Sequence, residues 1–391
     1  MSLYNKASIV LAPGAYKEGR IFNQKPLGES SDLKFDRGTS GSVQTRKASD
    51  NKITSVSLDV PRIDYGGGVG HLLIEPESTN LITYSVDFNG SSWVTNNDIT
   101  ITDGFSSPDG GNNASKISTD PQASQSTKGI LFSGYNTTNR LTDSRSIWAK
   151  TVSGTGQLHL LSHHSNTGNL FNITEEWQRF DLTGYNSTGA NNFYAVDFRG
   201  SSTLTEVYLW GGQAEDNPFT TSYIPTSGST ATRAVETAVD GGVETLFGQT
   251  EGVLYVEMAK FENDSNTGQV SISSDSRDNL VSFKAVTLNR FQMQLRAGGN
   301  PVKTVTSSDN ISDNTNFNKY AVSYKSGEIK VFANGSQIGS TGTETFSFSS
   351  NIISLKLNSG NEGNDDFRGK VKCIAVFKET LTDSELQELT S

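Results

Sequence analysis

Apolar and polar residues alternate over short stretches along most of this chain, and Gly, Asn, Ser and Thr separate the stretches. Leu254, Val256 and Met258 alternate with Val253, Tyr255 and Glu257, and Ile353, Leu355 and Leu357 with Ser354 and Lys356. Val371, Cys373, Ala375 and Phe377 fall on one face of a further strand by the same rule. Earlier, Ser146–Lys150, Asn192–Phe198 and Glu206–Trp210 read the same way, each four to seven residues long. A period of two bounded by turn residues is the pattern of half-buried β-strands. In Glu176–Leu182, Trp177 is out of step with Phe180 and Leu182, which predicts a bulge or a twisted edge. Ile329–Ala333 runs into Asn334-Gly335, the dipeptide best suited to a type I′ hairpin turn. One helix is expected, at the C-terminus: Thr382-Asp383-Ser384-Glu385 is a capping box, with Leu381 and Leu386 placed as a hydrophobic staple.

Composition agrees with an all-β reading. Hydrophobic residues are 33% and charged residues 19% of the 391, while 38 Gly supply turns and 20 Phe, 12 Tyr and 4 Trp supply cores. No sustained helical period appears, so bundles and coiled coils are excluded. All four tryptophans lie between Trp93 and Trp210, which marks off a middle region. Three consecutive parts are therefore expected: 1–70, 71–233 and 234–391. The first carries only short β-like stretches and the run Gly66–Gly70, which reads as a turn or linker because it does not fit a phosphate-binding glycine pattern. A core of its own would be thin, so it is expected to pack against another domain or subunit.

Charge and cysteine usage narrow the function. The net charge is −10 and no basic stripe gathers Lys or Arg, which argues against nucleic acid as a partner. Cys373 is the single cysteine, so there is no internal disulfide framework. The apolar run Ala7–Ala12 is shorter than the core of a signal peptide, so export by the usual route is not expected. No stretch approaches the ~20 apolar residues of a membrane span, and no membrane insertion is expected.

The chain lacks recognisable catalytic groupings. His159 and His163 have i, i+4 spacing, but Leu160 stands where a zinc protease needs its Glu and the segment reads as β. No G-x-S-x-G occurs, and adjacent carboxylates such as Glu175-Glu176 point to opposite faces of a strand. An enzyme is therefore not expected. Calcium is the one inorganic partner the loops suggest. Ser107–Asn113, Glu262–Asn266 and Asn361–Asp366 are rich in oxygen ligands, any one of which could hold a structural ion, with Asp109, Asp365 and Asp366 as the candidate ligands. Sugar recognition needs flat aromatic faces and planar polar groups, and the middle region offers Trp93, Trp148, Tyr194, Tyr208 and Trp210. Trp93, Tyr194 and Tyr208 are the candidate glycan-binding residues. Trp93, in the loop-like Asn89–Trp93, is the least core-like of the five.

These residues also resemble a known family. Leu73–Phe88 followed by Trp93 and Pro108-Asp109-Gly110 resembles the opening of a module common in tailed-phage virion proteins. Leu209–Glu215, Thr221–Thr226 and Ala231–Ala234 are similar to its closing signature, and Ser146–Lys150 with Glu176–Phe180 to carbohydrate-binding-module jelly rolls. Leu11–Lys17 and Val60–Tyr65 resemble the leader that precedes the module. The last third, through Lys319–Tyr324, Ala333–Gly335, Phe367–Val371 and Leu381–Thr390, resembles a concanavalin A-like, laminin-G-type sandwich. The resemblance implies an all-β protein: an N-terminal virion-attachment segment, then two β-sandwich (jelly-roll, lectin-like) domains. It implies a fibre, spike or capsid decoration located in the virion. Its partners would be other virion proteins through the N-terminal region and host-surface polysaccharide, with a homo-trimer as a candidate assembly. The alternatives are a capsid cement without glycan binding and, less favoured, a polysaccharide depolymerase.

Overall fold

The computed structural model describes residues 3–26, 31–38, 44–134, 143–161, 169–183, 193–261, 268–286, 290–307, 313–360 and 365–391. They form two compact units, one made of 1–38, 59–76 and 236–391 and the other of 39–58 and 77–235. Of the first 70 residues, 1–38 and 59–70 thus belong to the first unit and 39–58 to the second. Ile9–Leu11 pairs antiparallel with Gly369–Phe377, setting Ile9 opposite Val376. The hairpin Arg62–Asp64/His71–Ile74 extends the same sheet, with Ile74 opposite Gly369. Gln44–Lys47 and Ile53–Val56 pair with each other inside the second unit. The reason is burial. Ile9, Leu11, Ile63, Leu72 and Ile74 sit on strands too short to cover one another, and they enter the core built by the last third of the chain. Gly66–Gly70 supplies the turn of the 62–74 hairpin, with Gly67 and Gly68 at φ +92° and +89°.

The first unit is a sandwich. Its larger sheet runs Ser336–Gln337, Glu328–Ala333, Asn318–Lys325, Glu251–Ala259, Gly369–Phe377, His71–Ile74, Arg62–Asp64. Its smaller sheet runs Asn300–Thr306, Arg290–Ala297, Leu280–Val286, Gln269–Ser273, Ser354–Lys356. Leu254, Val256 and Met258 face Phe283, Met293 and Leu295 across the core, as the alternation predicts. Val253 and Tyr255 are buried as well, because Leu381, Leu386 and Leu389 cover the other face. Helix Asp383–Thr390 carries the expected capping box: Glu385 N donates to Thr382 Oγ1 at 3.3 Å and Thr382 N to Glu385 Oε2 at 3.0 Å. Asn334 and Gly335 take φ +46° and +80° in the tight turn between Ala333 and Ser336.

One alternation is broken. Glu257 pairs with Cys373 but Met258 pairs with Val371, so a bulge interrupts this pairing. Val371 therefore joins Ile374 and Val376 in the sandwich core, while Cys373, Ala375 and Phe377 lie under the helix.

The second unit is also a sandwich, of two five-stranded sheets. One runs Trp93–Asn96, Ile130–Gly134, Phe193–Asp197, Gly156–Leu160, Asn169–Ile173. The other runs Ile99–Phe105, Ala114–Thr119, Glu206–Glu215, Ser144–Lys150, Gln178–Thr183. Ile117, Ile147, Phe180, Val207 and Leu209 from the second sheet meet Leu131, Leu158 and Val196 from the first. The strand 178–183 is an edge, and its pairing with 144–150 is regular. The bulge lies one strand over, between 144–150 and 206–215, where Trp148 pairs with Trp210 and Ser146 with Gln213. Trp177 is out of step because it precedes the strand.

The closing signature of this unit is a buried polar staple. Glu215 accepts from Ser78 Oγ at 2.5 Å, Gln213 Nε2 at 2.7 Å and Thr221 N at 2.9 Å. Asn80 donates to the carbonyls of Gly212 and Ile224 at 3.1 and 2.8 Å. Arg233 Nη1 donates to Thr221 Oγ1 at 3.1 Å. These groups satisfy one another out of water and tie strands distant in sequence. Their role is structural.

Candidate functional site

The site lies on the sheet face of the second unit turned away from the core. Along 206–215, Val207 and Leu209 point into the sandwich, so Tyr208 and Trp210 point out. The register builds two cross-strand rows from them. In one, Tyr208 stands between Lys116 and Lys150, and Trp177 follows Lys150 on the far side. In the other, Trp148 stands between Trp210 and Arg179.

The second row is covered. Trp148 and Trp210 meet edge to face with centroids 5.2 Å apart, and Tyr223 lies 4.5 Å from Trp210. Gly211 makes this packing fit: it takes φ +67°, and a Cβ there would sit 2.8 Å from the Trp148 ring. Trp210 Nε1 donates to Asn113 Oδ1 at 2.9 Å. Tyr223 and Ser85 share a hydroxyl–hydroxyl hydrogen bond of 2.6 Å, and burial pushes the Tyr223 phenol above its ordinary value. Beside them is a pocket of about 330 Å³, lined among others by Ile53, Asp109, Asn113, Trp210, Tyr223 and Thr226.

The first row is open. Tyr208, Trp177 and Lys150 are all half-buried. Lys150 Nζ lies 5.4 Å from each of the Trp177 and Tyr208 ring centroids, and Phe105 packs on Tyr208 at 4.8 Å. Lys116 pairs with Glu206 at 3.5 Å, at the margin of the face. The row thus sets two half-buried rings beside an ammonium group, the kinds of group that a sugar's C–H face and hydroxyls meet.

Of the three aromatic residues singled out for glycans, only Tyr208 is here. Trp93 belongs to the core: it is 8% exposed, donates from Nε1 to Tyr84 O at 2.8 Å and packs on Phe88 and Tyr194. Its Gly/Ser-rich surroundings suggested a loop, but the turn before it returns the indole under the sheet. Tyr194 is fully buried and donates to Ser146 O at 2.5 Å. Trp177, Lys150 and Tyr223 were not singled out. Each lies in a segment whose strand or signature pattern was legible, but only the fold sets Lys150 beside Trp177 and Tyr223 beside Trp210.

The candidate calcium ligands lie in separate loops, each engaged locally. Asp109 lies in the second unit, and Asp365 and Asp366 in the first. Asp109 spends its oxygens inside its own turn, accepting from Ser107 Oγ at 2.5 Å, Gly111 N at 2.9 Å and Asn113 Nδ2 at 3.2 Å. Asp365 meets Arg277 and Gln269 at 3.3 Å each. Burial raises the Asp366 carboxyl above its ordinary value. Among the described residues no group of three His, Cys, Asp or Glu side chains could hold a metal ion. Glu262–Asn266, Asn361–Asn364 and His163 lie outside the described residues.

The described residues thus build two β-sandwiches, and the outer face of one carries cations beside aromatic rings. Residues 259–387 match the family described as the concanavalin A-like lectin/glucanases superfamily, which is about a third of the chain. No curated protein matches the chain. Among solved structures, the carbohydrate-binding module CBM40 of the Ruminococcus gnavus IT-sialidase, bound to α2,3-sialyllactose, is 18% identical. That match covers 38% of this chain and 86% of the other, with a TM-score of 0.32. The leech intramolecular trans-sialidase is 17% identical over 37% of this chain and 23% of its own, with a TM-score of 0.32. A heptameric pentraxin from Limulus polyphemus is 17% identical over 36% and 70%, with a TM-score of 0.29.

Proposed function

We propose that the protein binds carbohydrate, and that the ligand lies along the open row Lys116–Tyr208–Lys150–Trp177. The observation that carries this is the pair of half-buried ring faces of Tyr208 and Trp177, both in contact range of one ammonium group. The lectin-type domain at 259–387 supports the same class of function. Binding to a glycan array by the full chain, and its loss in Tyr208→Ala and Trp177→Ala, is the test. Removing a stacking ring is expected to weaken binding by about tenfold each, from roughly 1–1.5 kcal/mol. A variant that binds like the parent would remove the face from consideration.

The carrier of this module, on the same reading, is a fibre, spike or capsid decoration of a tailed-phage virion, joined to other virion proteins through the N-terminal region. What supports it is the likeness of the Leu73–Phe88 and Leu209–Thr226 segments to virion modules. Mass spectrometry of purified particles and immunogold labelling against 234–391 test it. Absence from particles would reject it.

A further inference from the structure

Lys150 is placed differently from the other cations of the face. Lys116 is paired with Glu206. Arg179 stacks on Trp148, donates to Ser146 Oγ at 2.8 Å and Thr221 O at 2.7 Å, and meets Asp181 at 3.0 Å. Lys150 has ring contacts on both sides, and among the described residues no carboxylate lies within ion-pair distance of it. This occurs in a chain with 42 acidic and 32 basic residues, where a carboxylate partner would be the easier arrangement. An ammonium held between two rings loses part of its water shell and gains by meeting an anion there.

Resting on the glycan reading of this face, we propose that its ligand is an acidic saccharide, a polymer bearing carboxylates, and that Lys150 is the residue that selects for the charge. The rings of Tyr208 and Trp177 take the sugar faces, and the Lys150 ammonium takes a carboxylate between them. A neutral glycan would leave that cation without an anionic partner. Specificity would come from this difference rather than from the stacking, which any pyranose shares.

The test uses the full chain against hyaluronate, alginate, polygalacturonate and polysialate, each alongside its carboxyl-reduced form. At least one acidic polymer is expected to bind about tenfold or more tightly than its reduced form, as a charge-assisted contact provides. Lys150→Met keeps the apolar stem over the rings and should erase that preference, while Lys150→Arg should keep it. Binding should also fall with added salt in the parent and not in Lys150→Met. Equal binding of charged and reduced forms, with Tyr208→Ala abolishing both, would overturn the inference and leave the glycan face standing. Binding that Tyr208→Ala leaves unchanged would overturn the face itself and the inference with it. Failure of every acidic polymer to bind overturns the inference as well, and binding of neutral glycans alone would then retain the face.

Discussion

Arg62 donates from Nε to Glu236 Oε1 at 2.8 Å, and neither side chain has any solvent exposure. Glu236 also accepts from Arg37 Nε at 2.8 Å and from the backbone N of Glu75 at 2.9 Å, while Arg62 Nη2 meets Glu75 at 2.7 Å. Burial alone would lower the Arg62 guanidinium, but Glu236 and Glu75 outweigh it and hold it above its ordinary value. One carboxylate thus joins three passages of the first unit, around 37, 62–75 and 236.

Removing that carboxylate leaves two buried cations short of a partner. Glu236→Ala is expected to cost about 3–5 kcal/mol, the range for a broken buried ion pair. Urea denaturation of parent and variant measures it. A loss below 1 kcal/mol would mean that water reaches the arginines.

Gly211 is expected to tolerate no side chain. Its φ of +67° and the 2.8 Å approach to Trp148 add backbone strain to a clash with an immovable ring. Gly211→Ala should destabilise by about 1–3 kcal/mol and disturb the Trp148–Trp210 pair. Thermal melting and tryptophan near-UV dichroism report the two effects.

Stability should fall in mild acid through His71. Burial, its largest influence, lowers this imidazole from 6.5, with Lys370 and Lys372 acting the same way and Asp64 opposing. Among the described residues Nε2 has no hydrogen-bond partner, with Asp64 Oδ1 3.7 Å away, while the Nδ1 side meets Val69 O at 3.2 Å. The unfolded chain therefore takes up a proton first as pH drops below 6.5, so the stabilising contribution is complete above that value and is lost as pH falls toward the folded-state pKa. Denaturation midpoints at pH 7.5 and 5 should differ more in the parent than in His71→Phe.

Cys373 should be unreactive in the native protein. Burial pushes its thiol up to about 11, and Tyr4 OH lies 3.8 Å from Sγ. Iodoacetamide at pH 8 is expected to label it only after unfolding. Rapid native labelling would show that the N-terminal turn over it opens.

Local signals in the chain were enough for what depends on neighbours. The capping box at Thr382 and Glu385, the Asn334-Gly335 turn and the alternation of Leu254, Val256 and Met258 each act within a few residues, and each appears as read. The aromatic residues were harder. Tyr194 and Tyr208 both lie in alternating strands, yet one is core and the other half-open. Trp93 looked like a loop residue and is core.

Local pattern alone sets that the chain makes short strands, where they turn, and that they build all-β sandwiches. A period of two assigns residues to two faces, but it does not say which face another sheet covers. Long-range packing is what makes Ile9–Leu11 and 62–74 complete the first unit, lets the 257–258 bulge move Val371 to the other face, and sets Lys150 between Trp177 and Tyr208. Those outcomes depend on pairings between residues far apart in the chain, where burial of both faces and not local preference sets the register.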